Sequence, residues 1–288
     1  MTGRRQNSIG DRVLMTLVFL FLYAPIIILI VFSFNAGTSS SVWKGFSLKW
    51  YESLLSNRLI MNSVYTTLMV SLLSTIVAAI AGTFAAIGLY AMSRRRRAIV
   101  NSVNNIPMMN ADIVTGVSLM MLFVFAFGAF NATLGKVFGI TLRTGFGTLL
   151  LAHITFDIPY VILSIMPKFN QLDPNLYEAA LDLGASPWQA FRKVVLPELM
   201  PGILSGAMLS FTMSVDDFVI SYFTAGSGAS TLAMEIYAMT RKRISPEINA
   251  LSTLIFAVVL ITLIAVNIHS AHQERVQRKK ELAWKQGS

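Results

Sequence analysis

Two adjacent carboxylates, Asp216 and Asp217, lie in the middle of the apolar stretch FTMSVDDFVISYF. An ionised acid inside a membrane-spanning helix costs at least about 3 kcal/mol unless it faces water or a cation, so it marks a functional pathway by default. Adjacent residues of a helix point about 100° apart, and both acids therefore cannot face one cavity equally. The first functional hypothesis is a cation pathway that passes one of them.

Asp112 and the pair His153 and Asp157 also lie within or beside apolar stretches. We expect Pro107 to interrupt any helix before Asp112, which then either caps the membrane part of the next span or lines the pathway. Asp157 follows His153 by four residues, so the two side chains share one helical face. We expect a structural His–Asp pair. The alternative is a proton relay, which would belong to another class of transporter.

The composition excludes several kinds of chemistry. The chain has no cysteine, so it forms no disulfide and has neither a catalytic thiol nor a thiolate metal site. Its three histidines, at 153, 269 and 272, do not make a metal cluster. No G-x-x-x-x-G-K-[ST] phosphate loop occurs, so the chain does not bind ATP by that route. We assign no catalytic residue, no metal and no cofactor to this chain.

Long apolar blocks must position these residues. The chain of 288 residues is 55% hydrophobic and only 13% charged, about half of the charged fraction of a soluble domain. A helix needs about 20 residues to cross a bilayer, and six blocks reach or approach this length. The predicted spans are about residues 13–34, 61–91, 112–130, 146–166, 199–223 and 248–268. We therefore predict an all-α membrane protein with a single transmembrane domain over residues 1–288.

The distribution of Lys and Arg predicts the orientation of these spans. Six spans place both termini on one side of the membrane, and that side carries 15 of the 23 Lys and Arg residues. Cytoplasmic loops are enriched in Lys and Arg, so we predict that both termini are cytoplasmic. The net charge of +9 is mostly a topology signal and gives no reason to invoke nucleic acid.

The largest predicted cytoplasmic loop, residues 168–198, has the pattern of two short helices joined at a glycine. Asp173 and Ser186 are each followed by proline, which is typical of a helix start. Gly184 can end the first helix in a left-handed turn. The second helix begins near Trp188, and we expect it to stop at Pro197. Such a loop either packs on its own bundle or docks into a partner protein.

This loop resembles the signature loop of ABC importer permeases. It carries EAA at 178–180, a glycine at 184 and V-x-L-P at 194–197, with valine where isoleucine is usual. The resemblance implies the type I ABC importer permease fold, in which the loop is a coupling helix seated in a cleft of a separate ATPase. The residues to which it implies an ATPase-coupling role are Glu178, Ala179, Ala180, Gly184, Ser186 and Trp188.

Five further motifs narrow the resemblance to one kind of importer. They are SFN at 33–35, WY at 50–51, HITF at 153–156, SVDDFVIS at 214–221 and SPEINAL at 245–251. Each is weak alone, but the ordered set is similar to the second permease subunit of spermidine/putrescine importers. This resemblance covers nearly the whole chain and implies a polyamine substrate, although related permeases for other small periplasmic solutes share parts of the set.

The implied substrate gives the acids their roles. A polyamine carries several ammonium groups, which would need anionic partners and aromatic faces. Many ABC permeases for anions carry an acid at the position that aligns with Asp217. We therefore assign Asp217 a structural or gating role and expect Asp216 to contact the substrate. The substrate-pathway candidates are Asp216, Asp217, Asp112, Tyr160 and Tyr222.

The sequence thus predicts a non-catalytic permease subunit of an ATP-driven importer in the inner (cytoplasmic) membrane of a bacterium. The resemblance implies a second homologous permease, two ATP-binding subunits that would hold ATP and Mg, and a periplasmic substrate-binding protein. The alternatives are an ABC permease for another small periplasmic solute and a cation-coupled secondary transporter. An intramembrane aspartyl protease is disfavoured, because adjacent acids on one helical turn cannot share one water.

Overall fold

The computed structural model describes residues 9–38, 42–173, 175–242, 246–258, 260, 261 and 264 of the chain. The described residues are mainly helical, and one isolated β-bridge among them joins Asn35 and Phe46. In chain order the helices are α1 (Ile9–Ser33), α2 (Lys49–Ser56), α3 (Arg58–Ala91), α4 (Arg94–Met109), α5 (Asp112–Ala132), α6 (Leu134–Phe138), α7 (Phe146–Gln171), α8 (Leu176–Asp182), α9 (Pro187–Ala190), α10 (Leu196–Asp216), α11 (Val219–Thr224), α12 (Leu232–Lys242) and α13 (Pro246–Val258).

Five helices in the described part of the chain are long and apolar enough to cross a membrane. They are α1, α3, α5, α7 and the continuous helix from Pro187 to Asp216 that contains α9 and α10. The shorter apolar helix α13 begins the sixth predicted span, 248–268, whose later residues lie mostly outside the described part. The predicted all-α membrane fold is confirmed. The helix at the predicted fifth span, 199–223, instead begins at Pro187 and ends at Asp216.

Two prolines do not stop helices where the sequence predicted. Helix α4 continues through Pro107 to Met109, and the break before α5 falls at Asn110 and Ala111. Likewise, the helix that begins at Pro187 does not end at Pro197. A π-helical turn over Phe191–Val195 joins α9 to α10, and the N–H of Leu196 bonds to the carbonyl of Phe191. This wider turn accommodates Pro197, which has no N–H to donate.

The arginine run at 94–97 contains one residue that caps the end of α3. The Arg97 guanidinium donates to the carbonyl of Leu89 at 2.9 Å and also to that of Tyr90. These carbonyls belong to the last turn of α3, and that of Leu89 also accepts the N–H of Met92 at 3.2 Å. The positive charge also lies at the negative end of the α3 dipole. Arg97 therefore stabilises the turn into α4, whereas the three preceding arginines are exposed.

The described residues form two compact units, and the first comes from residues up to Arg58 together with those from Ala238 onward. In this unit the hydroxyls of Ser33 and Tyr51 lie 2.7 Å apart. The indole N–H of Trp50 donates to the carbonyl of Asn35 at 2.8 Å. Asn35 is itself buried and accepts the N–H of Lys44 at 2.8 Å. The SFN and WY motifs therefore hold the connection between α1 and α2 together.

The second unit, Leu59–Tyr237, is built around α7. Half of the most apolar 18-residue stretch of this helix is buried. Glycines let α3 and α10 approach α7 closely. A Cβ on Gly206 would lie 3.0 Å from the Cα of Val161, and one on Gly82 would lie 2.7 Å from the Val161 side chain. Gly202 and Gly206 make a small-xxx-small pair, the pattern that brings membrane helices into close contact. Helix α7 is therefore the fixed element against which α3 and α10 pack.

We expect Gly206→Ala to lower the free energy of unfolding by about 1–3 kcal/mol, because the added methyl group meets backbone atoms of α7. Gly88→Ala is the matched control. A Cβ there meets no atom within 4 Å, and alanine is the better helix former by up to about 1 kcal/mol. Thermal unfolding of both purified variants in one detergent measures the difference. A Gly206→Ala variant as stable as Gly88→Ala would contradict the close packing.

Candidate functional site

The predicted fifth span is broken at Asp217 and Phe218, between α10 and α11. The Asp217 carboxylate accepts the N–H of Ile220 at 3.1 Å with one oxygen and the N–H of Ser221 at 2.7 Å with the other. Its side chain is only 7% exposed. Two N–H groups at the start of α11 therefore have a partner although the helix lacks a preceding turn. In this structure the Asp217 carboxylate is a hydrogen-bond acceptor for the backbone of α11.

Asp216, the last residue of α10, is exposed, unlike its neighbour. Among the described residues, none makes an ion pair or a side-chain hydrogen bond with its carboxylate. Aromatic rings follow it in the chain: the ring centroid of Phe218 lies 5.6 Å from that of Tyr222 and 4.6 Å from that of Tyr237. Tyr222 is 56% exposed. A carboxylate that aromatic residues follow closely in the chain is a combination that suits an organic cation.

Tyr237 was not among the predicted pathway residues. It lies on α12, a helix that is not among the predicted elements. The apolar residues Leu232, Ile236 and Met239 recur there at helical spacing, and this periodicity is the signal that could have revealed α12.

The predicted pairing of His153 with Asp157 is wrong. The imidazole of His153 instead reaches across to α10 and α11, where Nδ1 lies 2.6 Å from the Ser214 hydroxyl and Nε2 lies 3.0 Å from the Ser221 hydroxyl. Nε2 is also 3.6 Å from the carboxylate of Asp217. The two predicted partners do share a face of α7, but shared spacing only permits a contact. The hydroxyls on the facing helices are the partners that the packing supplies.

The other predicted polar residues, Asp157, Tyr160 and Asp112, lie on α7 and at the start of α5. Asp157 is fully buried on α7, and its backbone carbonyl accepts the Ser210 hydroxyl at 3.3 Å. Asp112 is the first residue of α5, but its side chain does not act as the cap. Tyr160 follows Asp157 by three residues on the same helix. Tyr160 in turn packs on a cluster that contains Ile220 of α11.

The predicted coupling element is a short helix, a glycine turn and a second helix start. Gly184 has φ +85°, and the N–H groups of Gly184 and Ala185 donate to the carbonyls of Leu181 and Ala180. This is a Schellman end, and the predicted left-handed turn is confirmed. Ser186 is the N-cap of α9, and its hydroxyl accepts the N–H of Gln189 at 3.3 Å. The second helix start is confirmed as well.

The coupling element exposes most of its predicted residues. Glu178, Ala179, Gly184, Ser186 and Trp188 are exposed, whereas Ala180 is buried against its own bundle. The most exposed apolar side chain here is one the prediction omitted: Leu183, at 89%. Leu183 directly precedes the turn glycine, and this position is the sequence signal that could have identified it as an exposed residue of the tip.

Trp188 lines an apolar cavity of about 280 Å³. Residues of α3 and α10, among them Phe84 and Met200, form its other walls. The indole of Trp188 is also 5.7 Å from the ring of Phe191. One side of the coupling element therefore meets the bundle, while its tip projects away.

A family described as binding-protein-dependent transport system inner membrane component matches residues 78–278 of this chain. The match includes the coupling element and both adjacent acids.

Three relatives are similar over most of their length. The chain is 38% identical to the spermidine/putrescine transport system permease protein PotC of Escherichia coli, over 87% of this chain and 90% of that protein. It is 40% identical to the putrescine transport system permease protein PotI of the same organism, over 86% and 85%. A Mycoplasma pneumoniae homolog of PotC is 30% identical, over 93% of each.

The fold is similar to that of solved transporters. A bacterial ABC transporter involved in the import of the acidic polysaccharide alginate superposes with a TM-score of 0.64 and 17% identity, over 93% of this chain and 98% of that chain. An amino acid ABC transporter superposes with a TM-score of 0.51 and 19% identity, over 75% and 96%. At these identities the likeness shows the fold, and it confirms the predicted permease architecture.

We expect Asp217→Ala to lower the free energy of unfolding by about 1–2 kcal/mol or more, because it leaves two N–H groups of α11 without a partner in an apolar setting. Asp216→Ala is the matched control at the adjacent position and removes an exposed carboxylate instead. The midpoints of thermal unfolding in detergent compare the two. Equal midpoints would show that the Asp217 carboxylate does not support the helix break.

Proposed function

This chain belongs to the family of inner membrane components of binding-protein-dependent transport systems, and from that premise we propose that it is the permease subunit through which an ATP-driven importer passes a polyamine. Putrescine and spermidine are the candidates, since relatives named for their transport share 38–40% of the aligned residues. The observation that carries the choice of a cation is Asp216, an exposed carboxylate at a break in a membrane helix.

The surroundings of Asp216 suit a flexible polycation. A polyamine places ammonium groups along an apolar carbon chain, so it needs a carboxylate and apolar or aromatic surface close together. Asp216 supplies the carboxylate, and Phe218, Tyr222 and Tyr237 supply aromatic faces. Cation–π contacts at partly desolvated sites contribute about 1–2 kcal/mol each. Asp112 and Tyr160, on α5 and α7, are proposed to line the same pathway.

We propose that the tip of the coupling element docks into a separate ATP-binding subunit, which holds ATP and Mg and performs the hydrolysis. Leu183 and Gly184 at the tip, with Glu178 and Ala179 beside them, offer a small exposed surface that needs a partner. The remaining proposed partners are a second ATP-binding subunit, a second permease and a periplasmic binding protein. That binding protein would deliver the polyamine to the outer loops, which include residues 131–145.

One continuous helix supports a mechanical link between ATP and the cation. The helix from Pro187 to Asp216 has 30 residues and is about 45 Å long. Its first residue follows Ser186 of the coupling element, and its last residue is the proposed cation ligand. Because this helix is continuous and packs closely on α7, movement of the coupling element is proposed to carry α10 and α7 together and to displace Asp216 with them. Such a displacement is what alternating access requires of the site.

We expect Asp216→Asn to reduce polyamine uptake about tenfold or more, because loss of one charge-assisted contact is worth roughly 1.5–3 kcal/mol. Asp11→Asn, which neutralises an exposed acid in the first turn of α1, is the control. Uptake of labelled putrescine and spermidine is measured in cells that lack their own importers and carry the complete system. Normal uptake by Asp216→Asn would remove Asp216 from the pathway. An assembled wild type without polyamine uptake would move the substrate to another small solute.

We expect Leu183→Ser and Gly184→Asp to reduce co-purification of the ATP-binding subunit about tenfold. The first removes the exposed apolar side chain of the tip, and the second also strains the turn, because Gly184 has a positive φ. Leu183 is almost fully exposed, so its substitution leaves the fold intact. Asp182→Asn, an exposed neighbour, serves as the control. Full co-purification of both tip variants would place the ATPase contact elsewhere on the chain.

A further inference from the structure

His153 is the one side chain of α7 that bonds to both sides of the break between α10 and α11, as far as the described residues show. Ser214 belongs to the last turn of α10 and Ser221 to the first turn of α11. The two ring nitrogens bond to these two hydroxyls, at 2.6 and 3.0 Å. An imidazole suits this place because its nitrogens lie on different edges of a rigid ring, and each can donate or accept a hydrogen bond.

Side chains replace backbone hydrogen bonds at this break. A helix that ends in an apolar environment loses backbone hydrogen bonds, and side chains must replace them. The Asp217 carboxylate caps α11, and Nε2 of His153 lies 3.6 Å from one of its oxygens. The imidazole therefore fixes the hydroxyls on either side of the break and also the acid that caps it.

The contacts continue into α3. The Ser214 hydroxyl lies 3.3 Å from the Ser74 hydroxyl, and Ser74 is fully buried. Through Ser214, the imidazole of α7 thus connects four helices: α3, α7, α10 and α11. Its own side chain is 2% exposed, so it is not placed to touch a transported molecule.

We propose that His153 is a positioning residue for cation transport: by bridging Ser214 and Ser221 it sets the angle of the break and thereby the place of the Asp216 carboxylate. In the chain, Asp216 lies two residues after Ser214 and directly before the capping Asp217. A shift of Ser214 or of Asp217 therefore moves Asp216. The inference rests on the proposed function. It adds that the cation site is held by a buried contact on a different helix, which no substrate reaches.

The test is coupling efficiency, measured as polyamine molecules moved per ATP hydrolysed by the complete transporter in lipid vesicles with loaded binding protein. We expect His153→Ala to assemble and to hydrolyse ATP within about twofold of wild type, while the ratio falls about fivefold or more. His153→Gln restores part of the ratio, because its amide can donate and accept. Thr155→Ala, an exposed position on the same helix, keeps the wild-type ratio.

Several outcomes overturn the inference. A wild-type ratio for His153→Ala shows that the imidazole does not position the site. Equal ratios for the Ala and Gln variants show that its hydrogen bonds do not matter. If His153→Ala fails to assemble, Ser221→Ala removes one of the two bonds with less disturbance, and an unchanged ratio then overturns the proposal. A wild type that hydrolyses ATP but moves no polyamine refutes the proposed function, and this inference fails with it.

Discussion

The need to satisfy backbone polar groups away from water is the constraint on which this structure depends. A membrane helix can break only where side chains replace the lost backbone bonds. At the end of α10 the Asp217 carboxylate bonds to two N–H groups of α11, and His153 bonds to the hydroxyls on both sides. Because these groups are turned inward, the neighbouring Asp216 is left exposed. One acid of the pair thus stabilises the break, and the other remains available to a ligand.

Close packing around α7 gives this arrangement its rigidity. Gly82 of α3 and Gly202 and Gly206 of α10 leave no room for a side chain between the helices. The same closely packed helices therefore carry the coupling element, the long helix from Pro187 to Asp216 and the buried imidazole. A π-helical turn keeps that long helix continuous past Pro197. Without the turn, the coupling element and the exposed carboxylate would lie on separate helices.

Several of the sequence motifs that suggested a family contact one another in the structure. SFN and WY meet through Ser33 with Tyr51 and through Asn35 with Trp50. HITF and SVDDFVIS meet through the contacts of His153. SPEINAL bonds to a residue near WY rather than within it: the hydroxyl of Ser53 donates to Glu247 at 2.8 Å. Segments far apart in the chain are thus bonded to one another, which explains why the ordered set was more informative than any single motif.

By itself the sequence determined the features that depend on local chemistry. Apolar length determined the spans, the need for a positive φ determined the turn at Gly184, and Ser186 before proline determined a helix start. Only the tertiary structure decided the partner of His153, the continuation of helices past Pro107 and Pro197, and the contrast between Asp216 and Asp217. Spacing along one helix shows which residues can meet. Which of them do meet is decided by the groups that facing helices bring within hydrogen-bond distance.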